Sequence, residues 1–193
     1  MSTAGPLVAL VVAAYLAGSV PVANLVARRR SSTDLRTVGD RNPGYWNAKL
    51  QLGARAAAPV LVGDVVKAAL PVLAARALGL PWWAWYVVAL AGMVGHAWPV
   101  FARFRGGRSV LAWVGGTVVV APVSAALAIA LLGATWLARL GFVRAVRIAV
   151  VAFPFIQFAV EDRWRTAASG ALMTFVGLRF ATAALADRRR AQA

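Results

Sequence analysis

Three arginines, Arg103, Arg105 and Arg108, fall within six residues and bracket a Gly106-Gly107 pair. Guanidinium forks around a double-glycine turn can grip one anion together with unobstructed backbone N–H groups. Ser109 follows with a hydroxyl, and His96, the sole histidine, stands just upstream. A neutral imidazole at His96 could take a proton from a substrate hydroxyl, and Arg105 and Arg108 could stabilise a departing phosphate. The arginines alone equally suit a cationic loop on the cytoplasmic face of a membrane protein, and a lone histidine equally suits packing. Histidine, double glycine and arginines together point to a phosphate site.

A second stretch, Asp40-Arg41-Asn42-Pro43-Gly44-Tyr45-Trp46-Asn47, has the form of a helix start. Asn42 reads as an N-cap, Pro43 as the first helical residue and Gly53 as the stop, which predicts a short interfacial helix of about ten residues. The N-terminus of that helix would offer free N–H groups to a phosphate, with Gly44 letting a ligand approach the backbone and Asn42 and Asn47 supplying amides. An ordinary capped interfacial helix is the plainer alternative. Asp64 and Lys67 are spaced i, i+3 inside an apolar run, where they share a helix face and can pair. Charges there either clamp the structure or serve a site, Lys67 by binding phosphate and Asp64, like Asp40, by tuning it. Arg179, also inside an apolar run, needs a carbonyl or a substrate phosphate as partner.

The elements that must position these residues are membrane helices. Of the 193 residues 61% are hydrophobic, and mean hydropathy is +0.72. Soluble domains are usually under half apolar, and several runs approach the roughly 18–20 residues that cross a bilayer. The expected fold is all-α: a polytopic integral membrane helical bundle forming one domain over 1–193. Segments are predicted at about 5–27, 56–79, 82–102, 109–120, 122–138, 143–160 and 166–186, about seven in all, with an interfacial helix in the first cytoplasmic loop. The fourth is short enough to be a half-length or tilted helix. Gly18-Ser19-Val20-Pro21 marks a kink in the first span, which reads as retained and not as a cleaved signal peptide.

Net charge is +15, and the basic residues fall between apolar runs. Membrane lipids and phosphorylated ligands are therefore the expected partners, and nucleic acid is not. No cysteine is present, which excludes thiolate chemistry, and with one histidine no metal or cofactor is expected. With the N-terminus outside, inner loops hold sixteen Lys/Arg and outer segments three, Arg76, Arg163 and Arg165. That asymmetry predicts an N-out, C-in topology, with both basic stretches and the tail on the cytoplasmic face of a bacterial cell membrane.

Gly18-Ser19-Val20-Pro21, Asn42-x-Gly44-x-x-Asn47, Asp64-x-x-Lys67 and Gly95-His96-x-x-Pro99-x-Phe101-x-x-Phe104-Arg105-Gly106-Gly107-Arg108 occur in this order. The set resembles the bacterial membrane acyl-phosphate:glycerol-3-phosphate acyltransferases, the PlsY family. The resemblance implies seven helices, a cytoplasmic-face site and acyl transfer from acyl phosphate to the 1-hydroxyl of glycerol 3-phosphate. The product would be lysophosphatidic acid, with neither metal nor acyl-CoA required. The sequence departs from the pattern in having Asp40 where the family usually has serine, Leu50 where an arginine is expected, and no C-terminal His-Arg-x-Asn-Ile type of motif. Arg105 and Arg108 replace lysine, exchanging a point ammonium for a planar fork. Two alternatives stand beside this: a divergent homologue acting on or binding another phosphorylated lipid or acceptor, and a small anion transporter. No paired inverted repeat supports the transporter.

Overall fold

The structure, a computed structural model, describes residues 3–192. Among the described residues there are nine α-helices: α1 Ala4–Gly18, α2 Val22–Ser31, α3 Tyr45–Leu52, α4 Ala54–Ala77, α5 Trp82–Ala97, α6 Val110–Val120, α7 Pro122–Leu137, α8 Phe142–Val160 and α9 Arg163–Ala191. A 3₁₀ turn, Val100–Ala102, follows α5. The expected all-helical membrane bundle is therefore present. Five stretches are long and apolar enough to cross a bilayer: Ala4–Ser31, Ala54–Ala77, Trp82–Ala102, Phe142–Val160 and Arg163–Ala191. Val110–Val120 and Pro122–Leu137 are apolar but shorter.

The break between α1 and α2 lies at the Gly-Ser-Val-Pro sequence. Pro21 has no N–H to continue the helical ladder, and its backbone leaves the helical region. Ser19 Oγ donates instead to the Tyr15 carbonyl at 2.8 Å. Close packing of α1 on α5 depends on glycines. A Cβ on Gly18 would overlap the Gly92 carbonyl, and one on Gly95 would overlap the Tyr15 carbonyl. Small residues at such crossings let helix backbones approach, the usual means of association where lipid removes the hydrophobic drive. Gly115 of α6 lies in the same way against the Val65 carbonyl of α4.

These crossings place α1, α4, α5 and α6 at the centre, around Val72, Val88, Met93, Trp113 and Phe153. A smaller core under the polar end joins Ala23 and Ala27 of α2, Leu35, Ala48 of α3, and Ala57 and Val60 of α4. Large apolar side chains such as Leu70, Phe155 and Leu178 face outward, as lipid-facing residues do.

One local expectation is corrected. α3 starts at Tyr45, with extended Gly44 as its cap residue, and not at Pro43 after an Asn42 cap. The Asn42 carbonyl is taken by the Gly44 N–H at 2.8 Å and by Asn47 Nδ2 at 3.2 Å, which turns the chain before the helix begins. Gly53 does close α3, its N–H bonding to the Lys49 carbonyl, and at φ 84° it turns straight into α4.

Candidate phosphate site at the polar end of the bundle

The connection after α5 folds back onto the helix that precedes it. Pro99 cannot donate, but its carbonyl accepts from Ala102 N at 3.0 Å and from Phe104 N at 2.9 Å. The Gly107 N–H then bonds the His96 carbonyl at 3.1 Å, pinning the double glycine to the end of α5. No side chain fits there. A Cβ on Gly106 would overlap the His96 and Ala97 carbonyls, and one on Gly107 would strike His96 Nε2. His96 is buried, with Nδ1 3.7 Å from Asp64 Oδ1. Asp64 in turn contacts Lys67 Nζ at 2.8 Å, an ion contact without hydrogen-bond alignment. Lys67 Nζ donates to the Val20 carbonyl at 2.7 Å, so the α1–α2 break, the Asp64–Lys67 pair and the glycine loop are joined through α4.

The connection before α3 is held by amides and a carboxylate. Asn24 Nδ2 donates to Asp34 Oδ1 at 3.0 Å, and its Oδ1 accepts the Leu35 N–H. Arg36 closes on Asp34 at 2.6 Å and also donates to the Ala102 carbonyl at 3.3 Å, tying the two loops together. Hydrogen bonding from Arg36, with help from Arg28, keeps the Asp34 carboxyl well below the usual carboxylate range. Buried Asn47 reaches the carbonyls of Leu35, Val38 and Asn42 through Nδ2, which folds residues 35–42 over α3. At the tip, Asp40 Oδ1 accepts the Asn42 N–H and Oδ2 meets Arg108 Nη1 at 3.0 Å.

The third contributor is α9. Arg179 Nη2 donates to the Gly107 carbonyl at 3.2 Å, and its guanidinium lies 4.7 Å from the Trp98 ring centroid. Arg108 lies 4.8 Å over Phe180. These three segments enclose a cavity of about 280 Å³, with Asp40, Asn42, Gly107, Arg108, Arg179 and Arg190 on its wall. A second, apolar groove of about 250 Å³ lies between α6, α7 and α8 and includes Val110, two residues along the chain from Arg108. A cationic cup and an apolar trough in one bundle suit an amphiphile with a phosphate head.

The structure thus brings Asp40, Asn42, Gly106, Gly107 and Arg108 to one cavity. Asp64, Lys67, His96 and Arg105 line an adjoining crevice of only about 10 Å³, which shares Gly106 and Gly107 with it. Arg103 is exposed and lines neither space. Gly44 and Asn47 are buried behind the loop, the latter as a brace. Ser109 is buried with its hydroxyl given to the Met93 carbonyl at 2.8 Å, so it turns away from the cavity. Arg179 finds carbonyl partners, one of the two kinds its sequence position called for. Sequence reasoning missed Thr182 and Arg190, which reach the cavity from the same face of α9 as Arg179. Their i, i+3, i+11 spacing, with small Ala183 and Ala186 between, was the available signal.

A family model described as glycerol-3-phosphate acyltransferase matches residues 8–187. A glycerol-3-phosphate acyltransferase of Rubrobacter xylanophilus is 47% identical over 115 residues, 60% of this chain and 57% of the relative. One from Shewanella sediminis is 38% identical over 160 residues, 80% of this chain and 78% of the relative. The chain therefore spans little more than half the length of the first of these and over three quarters of the second. Among solved structures, PlsY (YgiH), described as an integral membrane glycerol 3-phosphate acyltransferase in its glycerol 3-phosphate form, superposes with a TM-score of 0.76 at 26% identity. The match covers 90% of this chain and 87% of that one.

Proposed function

Because this chain belongs to the glycerol-3-phosphate acyltransferase family, we propose that it transfers a fatty acyl group from an acyl phosphate to glycerol 3-phosphate, giving lysophosphatidic acid for phospholipid synthesis. The observation that carries this reading is the juxtaposition of Arg108, Arg179, Gly107 and Asn42 around one cavity at the polar end of a membrane bundle. The apolar groove between α6, α7 and α8, which includes Val110 two residues along the chain from Arg108, is where an acyl chain entering from the bilayer can lie.

In the reaction the acceptor hydroxyl oxygen attacks the acyl carbonyl carbon. A carbon–oxygen ester bond forms as the bond from that carbon to the phosphate oxygen breaks, and inorganic phosphate leaves with the electron pair. Arg108, with Arg105 at the crevice beside it, stabilises the growing phosphate charge, as preorganised cations do where charge develops. The hydroxyl proton goes to a phosphate oxygen, on the acceptor or the leaving group. His96 does not line the larger cavity, and its buried ring supports the Gly107 turn from behind, so we assign it a positioning role.

The enzyme sits in a bacterial cell membrane with its N-terminus outside and its site and C-terminus facing the cytoplasm, a topology supported by sixteen inner against three outer basic residues. Purified protein in lipid, given acyl phosphate and glycerol 3-phosphate, should form lysophosphatidic acid, and Arg108→Ala should abolish it while the protein still folds. Unchanged turnover in that variant refutes the assignment.

A further inference from the structure

Arg108 is held by an internal anion. Its Nη1 meets Asp40 Oδ2 at 3.0 Å, the guanidinium lies over Phe180, and the buried Nε–H has no acceptor among the described residues. One arm of the fork is therefore on a carboxylate, while the Nε–H is enclosed without a partner. The carboxylate side is the more exposed of the two. The Asp40 side chain is 35% exposed against 19% for Arg108, and it sits at the tip of a loop between Gly39 and Arg41, both at positive φ. A phosphate placed on Arg108 would bring a charge of up to −2 against Asp40, and the two anions repel at that range.

We propose that Asp40 is an internal competitor: its carboxylate occupies Arg108 in the free protein and must be displaced by the phosphate of the incoming ligand. This rests on the phosphate-site reading above. Such an arrangement raises the threshold for binding. An anion that offers Arg108 no more than a carboxylate does gains nothing by exchange, whereas a phosphate monoester brings higher charge and three acceptor oxygens. Asp40 thereby weakens every anion that must displace it by the same factor, and the weaker carboxylates fall below detectable binding first.

Asp40→Asn tests this cleanly. Asparagine keeps an Oδ1 acceptor for the Asn42 N–H, so the turn is retained while the charge is lost. Binding of inorganic phosphate to purified wild type and variant, read by calorimetry, should be tighter in Asp40→Asn by roughly two- to fivefold, the scale of a partly exposed ion pair. Acetate should show detectable binding only in the variant. In an Arg108→Ala background the gain should vanish. Asp40→Ser, which also retains a turn acceptor, serves as the second variant should the first fail to fold. Unchanged or weaker phosphate binding in the folded variant overturns the proposal and assigns Asp40 to holding the loop. Because phosphate binding is read without turnover, a protein that makes no lysophosphatidic acid would overturn the acyltransferase reading and leave this test standing.

Discussion

Arg179 crosses from the last helix to the glycine loop and donates to the Gly107 carbonyl at 3.2 Å. It cannot be traded for a flexible cation, because the same planar guanidinium also stacks on Trp98 and approaches the Ala97 carbonyl. Removing it releases the loop backbone and deletes a positive charge from the cavity wall. Arg179→Ala should raise KM for glycerol 3-phosphate by about tenfold or more, with Arg179→Lys recovering only part of the loss. Steady-state kinetics on the purified variants checks this. A KM equal to wild type in the alanine variant would detach α9 from the site.

Gly107 and His96 form a second coupled pair, since a Cβ on the glycine strikes His96 Nε2. Gly107→Ala should destabilise the protein by about 1–3 kcal/mol, an overpacking cost. The loss should shrink in a His96→Ala background, where the obstructing ring is gone, and a double-mutant cycle on thermal unfolding measures that coupling. The same histidine variant decides between positioning and base catalysis. A general base contributes about 10²- to 10⁴-fold. His96→Ala should lower kcat by less than roughly 100-fold, and a loss of a thousandfold would reinstate the histidine as base.

Within the bundle, Asp64 is 1% exposed and its charge is met by Lys67. Asp64→Ala would leave a buried ammonium with only the Val20 carbonyl, which costs about 3–5 kcal/mol when one partner of a buried pair is removed. Asp64→Ala combined with Lys67→Met should recover most of that stability, because neither charge is then left unpaired. Unfolding temperatures in detergent would separate the two variants. Equal destabilisation of the single and double variants would show that the pair is not a charge clamp.

The membrane bundle was legible because apolar runs of near-bilayer length and the basic loops carry their meaning locally. The Gly18–Pro21 break and the Gly53 stop follow from the chemistry of those residues at single positions. The start of α3 was not legible, since Asn42-Pro43 fits a cap by local rules. The Gly44 N–H and the Asn47 side chain together take the Asn42 carbonyl and move the helix start to Tyr45. Likewise Ser109 reads as a ligand hydroxyl until its burial against Met93 is known. Arg190 is set apart from its tail neighbours Arg188 and Arg189 only by its spacing from Arg179, a signal that counts once α9 continues as a helix to Ala191.

Asp34 makes the loop sensitive to acid. Its carboxylate accepts from Asn24, Arg28 and Arg36, and these bonds favour the ionised form, so the folded-state pKa lies below the ordinary value near 3.9. A depressed carboxylate contributes its full stabilisation above the unfolded pKa and loses it as pH falls toward the folded one. Between pH 5 and 8 this group should therefore leave stability flat. Asp34→Asn should be less stable than wild type by about 1 kcal/mol at pH 7, a figure discounted for partial exposure. That gap should narrow as the pH drops below about 4, where the wild-type carboxylate begins to protonate in the unfolded chain. Thermal unfolding of both proteins across pH 3–8 provides the comparison, and a gap that stays constant down to pH 3 would mean that the Asp34 charge plays no part in holding the loop.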